Sequence, residues 1–210
     1  MELFTYFRSS AAYRVRIALN LKGIEHQLTP VNLLKGEHKG EDYKQLQPQG
    51  LVPALKLDDD RVINQSTAIL EYLEAEYPQV PLLPSDNYDA AVVRGWVNLI
   101  GADIHPIDNL RVLKYLVNEL DVNEEDKLTW YRHWIKEGFT ALESQIKATP
   151  YCFGSEVTLA DLFLVPQVYN ALRFNTDMSA FPKIMSVYEA CNALEAFDNA
   201  KPENQPDSTL

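Results

Sequence analysis

Strand-like alternation stops near Tyr77 and does not return, and this break constrains the fold more than any other feature of the chain. Before it, short apolar runs alternate with short helical periods. Leu3 to Phe7 reads as a strand. Ala11 to Lys22 reads as a helix, with Ala11, Val15, Ala18 and Leu19 at helical spacing and Gly23 as its stop. His26 to Asn32 gives a second strand and Glu37 to Gln47 a weaker helix. Pro48, Gly50 and Pro53 then interrupt the chain. Ala54 to Leu57 and Arg61 to Ile63 flank Asp58, Asp59 and Asp60, a hairpin pattern. Ser66 stands as an N-cap before Thr67 to Tyr77, whose Ile69, Leu70, Leu73 and Tyr77 form one apolar stripe. The order βαβαββα predicts an α/β domain over residues 1–80.

Pro78, Pro81 and Pro84 mark a linker. Beyond it, helical periodicity covers roughly 86–119, 123–148, 158–173 and 181–196, followed by a tail with Pro202 and Pro206. These predict an all-helical domain over 86–210. Thr158 and Asp161 form a capping box with Asp in place of the usual Glu, so Asp161 is assigned to folding. Trp96, Trp130 and Trp134 read as core or interface residues.

The net charge of -11 argues against a general nucleic-acid or anionic-membrane surface. An acidic small molecule would need a local cluster of arginines to bind. Two distant cysteines, Cys152 and Cys191, make neither a disulfide framework nor a zinc spacing, so no metal is expected. The N-terminus lacks the pattern of a signal peptide, and no apolar run approaches the ~20 residues of a bilayer span. The expectation is a soluble, cytoplasmic protein without membrane or nucleic-acid partners.

Three segments offer chemistry. Arg8-Ser9-Ser10-Ala11 joins strand to helix, where free N–H groups and the helix dipole favour an anion; a plain serine cap fits the same pattern. Leu51-Val52-Pro53-Ala54 puts a proline directly before a strand, which suits a cis bond or an ordinary turn. Asn64-Gln65-Ser66 opens a helix with groups suited to a carboxylate, or to capping alone.

Taken in order, YFRSSAAYRVRIALNLKGI, LVPAL, NQSTAILEYLE, DIHPIDNLRVL and TLADLFLVPQVYNALRF resemble the zeta class of glutathione transferases. The resemblance runs from Met1 to Ser208. It implies a thioredoxin-like first domain, an all-helical second domain, glutathione as cofactor and a homodimer. It also implies glutathione-dependent cis–trans isomerisation of a maleyl dicarboxylate, maleylacetoacetate first and maleylpyruvate as the alternative. Transfer to α-halo acids and a non-enzymatic glutathione-binding module are further readings.

By the same resemblance Ser9, with Ser10 beside it, holds the glutathione thiolate. The backbone of Val52 pairs with the cysteinyl unit, next to Pro53 as the cis-proline. Gln65 and Ser66 grip the γ-glutamyl carboxylate, and His38 lies near the glycyl end. His105, Asn109 and Arg111 contact glutathione, and Arg8 and Arg173 receive substrate carboxylates, with the second-substrate site expected between the domains. His105, Asp108 and Asn109 are expected on one helix face beside a Pro106 kink. One departure stands out: Ala11 occupies the place of the family's usual cysteine.

Overall fold

The computed structural model describes residues 1–209. Four short strands, β1 (Glu2–Thr5), β2 (Gln27–Pro30), β3 (Ala54–Lys56) and β4 (Val62–Asn64), form one sheet in the order β2-β1-β3-β4. β1 runs parallel to β2 and antiparallel to β3, and β3 pairs antiparallel with β4. The strand-to-parallel-strand connection is made by α1 (Ser10–Leu21), as parallel pairing requires. A single 3₁₀ turn (Glu37–Lys39) and α2 (Glu41–Leu46) replace the expected continuous helix at 37–47, with Gly40 between them. α3 (Ser66–Glu76) follows β4.

The chain divides into two compact units, Met1–Pro81 with Asn192–Leu210, and Leu82–Cys191. The tail was expected to belong with the helical domain of 86–210. It belongs with the sheet instead, for a physical reason. α1 buries two arginines, Arg14 and Arg16, at 2% and 1% exposure, and a buried guanidinium needs acceptors. Arg16 Nε and Nη2 donate to the Ala200 carbonyl at 3.1 and 3.0 Å. Asn20 Nδ2 donates to the Ala196 carbonyl at 2.9 Å. The tail, with its short helix Glu195–Asp198, is thereby part of the first unit.

The second unit is helical. α4 (Asn87–Asn98) is capped by Asp86, which accepts from the N–H groups of Tyr88 and Asp89. The single long helix expected over 86–119 is broken. A π-helical stretch, Leu99–Ile104, precedes α5 (His105–Asp108), and α6 (Leu110–Asn118) starts afresh after Asn109 turns extended at ψ 162°. Pro106 has no N–H to continue the ladder, and the His105 N–H reaches five residues back to Ile100. α7 (Glu124–Glu143) and α8 (Leu159–Arg173) come next, then α9 (Pro182–Asn192).

Two glycines set the close packing of this unit. A Cβ on Gly101 would lie 2.7 Å from Phe163 Cε1, and one on Gly138 would lie 2.3 Å from Ile104 Cδ1. α8 is almost wholly buried from Leu159 to Val168. Its first turn is closed by Asp161, which accepts from the N–H groups of Cys152 and Thr158 at 2.8 Å each, and from the Thr158 hydroxyl at 2.9 Å. The folding role read for Asp161 is the one the structure displays. Among the described residues no helix is long and apolar enough to cross a membrane.

Candidate active site

The junction of β1 and α1 is a tight turn. The Ser9 N–H donates to the Tyr6 carbonyl at 2.9 Å. Ser9 then takes extended backbone angles and caps α1, its Oγ accepting from the Ala12 N–H at 3.2 Å. That bond uses the hydroxyl oxygen as an acceptor and leaves its proton to be donated elsewhere. Ser10, the first residue of the helix, is only 5% exposed, whereas Ser9 is half-buried and faces outward more. No acidic residue occupies the first turn of α1, so no side chain of that turn offsets the positive end of the helix dipole.

The second segment leads into β3, the antiparallel neighbour of β1 in the sheet. Val52–Pro53 is a cis bond, and β3 starts immediately after it at Ala54. Gly50 has φ +61°, and a Cβ there would lie 2.6 Å from the His38 carbonyl oxygen. Only glycine fits that approach, and it seats the turn carrying His38 against the segment that leads to Val52. The Tyr43 hydroxyl donates to the Leu51 carbonyl at 2.7 Å.

The third segment differs from its expected form. Gln65, not Ser66, occupies the N-cap position of α3, and it makes no side-chain cap bond. Its φ of 73° with ψ of 122° is a conformation that non-glycine residues rarely hold, of a kind that costs roughly 1–3 kcal/mol. Gln65 is exposed, with Nε2 donating to Gln49 Oε1 at 2.6 Å. Ser66 lies inside the helix, buried, and its Oγ accepts from Arg14 Nη1 at 3.2 Å.

Arg14 therefore links the starts of two helices. It stands four residues after Ser10 on α1 and reaches the first residue of α3. Burial pulls its guanidinium down to about 9, which leaves it charged at neutral pH. Two helix N-termini and one buried cation are thus gathered in a protein of net charge -11. That arrangement suits a small molecule carrying negative charge.

The remaining candidates are Arg8, next to Ser9 in the turn, and residues of the other unit. Arg8 is half-buried, with its guanidinium carbon 5.0 Å from the centre of the Phe7 ring. In the helical unit His105 opens α5, and Arg111 is exposed. Asn109 is the N-cap of α6, its Oδ1 accepting from the N–H groups of Arg111 and Val112 at 3.1 and 3.2 Å. The expected shared helix face of His105, Asp108 and Asn109 is not formed, because α5 ends at Asp108. Arg173 ends α8, exposed, with its guanidinium 4.6 Å from the Phe174 ring.

The described residues hold no cluster of three or more groups that could bind a metal ion. The two cysteines are buried, and burial pushes both thiols well above their ordinary range. Neither is a nucleophile at neutral pH.

The family model described as glutathione S-transferase, N-terminal domain, matches residues 8–76, and the corresponding C-terminal domain model matches 135–194. Maleylacetoacetate isomerase of Pseudomonas aeruginosa is 47% identical over 99% of both chains. A holo structure of a bacterial zeta-class maleyl pyruvate isomerase superposes with a TM-score of 0.96 at 44% identity, covering 100% of each chain. The chain is a zeta-class glutathione transferase. A maleylacetoacetate isomerase from Methylobacterium extorquens AM1, solved with malonate and glutathione bound, also matches this transferase, with a TM-score of 0.95 at 34% identity over 100% of each chain.

Three residues of this zeta-class transferase, Arg14, Arg16 and Asp207, were not singled out by sequence, and a fourth, Asp108, was named without its burial. Arg14 and Arg16 sit in an otherwise apolar helix face, a signal that was available in the run RVRIAL. Asp207 accepts a hydrogen bond from the Phe7 N–H across 200 residues of chain, in the turn that leads to Ser9, which no local pattern reveals. Asp108 was placed on a helix face but not recognised as buried; at 6% exposure, neither of its carboxyl oxygens has a hydrogen-bond partner.

Proposed function

We propose that the chain is a glutathione-dependent isomerase that converts maleylacetoacetate to fumarylacetoacetate, the cis to the trans dicarboxylate, as in breakdown of tyrosine and phenylalanine. The observation that carries the reading is Ser9. Its hydroxyl oxygen is engaged by the helix while its proton is left to donate, at the positive end of α1. The fit to glutathione rests on the same features: a half-exposed hydroxyl at a helix start, the Val52 backbone at the cis bond just before β3, and Arg14 charge behind Ser66.

When bound, glutathione supplies the sulfur nucleophile that adds reversibly to the cis double bond, permits rotation about the resulting single bond, and leaves from the trans product. Ser9 donates its hydroxyl proton toward that sulfur and, with the α1 dipole, lowers its pKa. Ser10 stands behind it as a buried neighbour. Val52 offers backbone groups to the peptide, next to Pro53. Gln65 and Ser66 hold the γ-glutamyl carboxylate at the start of α3, and His38 borders the glycyl end. His105, Asn109 and Arg111 add contacts to glutathione from the helical unit. Arg8 and Arg173 receive the carboxylates of the maleyl substrate, where a guanidinium fork suits a planar carboxylate. The protein's own buried thiols cannot take the place of the cofactor, so activity should vanish without added glutathione.

Maleylpyruvate is the second reading, favoured by the close superposition on a maleyl pyruvate isomerase. Turnover of both maleyl substrates, each with and without glutathione, tests the assignment. Preference for maleylacetoacetate with strict glutathione dependence supports it. Preference for maleylpyruvate shifts the substrate and keeps the chemistry. Turnover of dichloroacetate with no maleyl isomerisation overturns it. The same reading takes the protein to be a cytoplasmic homodimer, which sedimentation and cell fractionation test.

A further inference from the structure

We propose that Asp207, in the C-terminal tail, is a positioning residue for the turn that carries Ser9. The proposal rests on the assignment of Ser9 given above. The turn from Thr5 to Ser9 is held from two sides. Arg16 Nη1 donates to the Thr5 hydroxyl at 2.9 Å and to the Tyr6 carbonyl at 3.4 Å, and Nη2 donates to the Phe7 carbonyl at 3.1 Å. From the other side the Phe7 N–H donates to Asp207 Oδ2 at 3.0 Å. Both backbone groups of Phe7 are therefore committed, two residues before Ser9.

The carboxylate is placed for this bond rather than for water. Its second oxygen, Oδ1, is buried and has no hydrogen-bond partner. Asp207 also supports the charge of buried Arg16, raising its pKa against the larger lowering caused by burial. The tail that brings Asp207 there is itself anchored. Gln205 Nε2 donates to the carbonyls of Asn199 and Lys201 at 2.9 and 2.8 Å, and the Ser208 N–H donates to the Gln205 carbonyl at 3.0 Å. Arg16 closes the circuit by donating to Ala200. The far end of the chain thus fixes where the Ser9 hydroxyl stands.

The test compares Asp207→Ala, Asp207→Ser and Asp207→Asn with Ser9→Ala, reading kcat against pH at saturating glutathione. That profile reports the ionisation of groups in the bound complex. Misplacement of a reacting group by about 1 Å can lower rate about a hundredfold, so folded Asp207→Ala and Asp207→Ser should lose tenfold or more in kcat at neutral pH, as a rough expectation. Their acid limb should move to higher pH. Asp207→Asn keeps an oxygen opposite the Phe7 N–H and should retain most of the activity with an unmoved limb. If Ser9→Ala loses activity while folded Asp207→Ala and Asp207→Ser keep the wild-type profile and lose only thermal stability, the proposal is overturned and the Ser9 reading stands. If Ser9→Ala keeps the wild-type profile, the Ser9 reading itself fails. Failure of both shortened variants to fold also overturns the proposal, which expects a native fold with a displaced turn.

Discussion

On the proposed reading Ser9 carries two tasks in one side chain, and they can be separated. Its oxygen caps α1, a contribution of about 1 kcal/mol when the cap is replaced by Ala and only a few tenths when replaced by Gly. In the proposed mechanism its proton serves the cofactor sulfur, a charged-group hydrogen bond of about 1.5–3 kcal/mol, or roughly one to two decades in rate. Ser9→Gly should therefore melt close to the wild type and still lose turnover, while Ser9→Ala should lose both. Calorimetry beside a steady-state assay checks this. Asp108 gives a second expectation at the same scale. Burial raises its pKa from 3.8 to about 8. The native state then keeps a proton that the unfolded chain releases, so the stability this group contributes is full below about pH 4 and is lost as pH rises through about 8. Asp108→Asn should be more stable than the wild type at pH 8, with the difference shrinking toward pH 4, in chemical denaturation at both pH values. At this scale the sequence was most informative where chemistry is local. A serine at a strand–helix junction, a proline before a strand and the Thr158–Asp161 pair are all short-range patterns. Ser66 misled because serine before an apolar run is the commonest form of a cap; the true cap position, Gln65, is set by a backbone conformation that side-chain identity does not announce.

The elements repeat this division. Strand alternation, the aspartate-rich hairpin and the stripe on α3 were legible because each rests on neighbours two to four residues apart. The helix over 86–119 was not, since apolar periodicity runs on through Asn109 although the backbone does not. A π-helical stretch changes the register by one residue per turn, and the hydrophobic pattern tolerates it. Gly101 within that stretch is packed closely against Phe163. Gly101→Ala would usually gain helix stability, but here the added methyl meets the Phe163 ring, and overpacking of this kind costs about 1–3 kcal/mol. Thermal denaturation should show a lower midpoint for Gly101→Ala; an unchanged or raised midpoint would contradict the close approach. Gly101→Ala with Phe163→Leu should recover part of the loss.

For the molecule as a whole, the tail and the charge matter most. A chain ended after Asp198 removes the Ala200 carbonyl and Asp207 from buried Arg16, and breaking a buried charge's partnership costs about 3–5 kcal/mol. Such a truncation should melt well below the full chain. The tail's membership in the first unit could not be read from sequence, because its ties to α1 span more than 170 residues. Net charge was legible at once, yet its sign says little about where an anion settles. The site proposed for it gathers two helix starts and Arg14 in an acidic protein. The decisive measurement is a titration of the ultraviolet thiolate absorbance of glutathione bound to the wild type and to Ser9→Ala. The account predicts a bound-thiol pKa below the free value of about 8.5 in the wild type, moving back toward it in Ser9→Ala. Equal bound-thiol pKa values in the two proteins would contradict it.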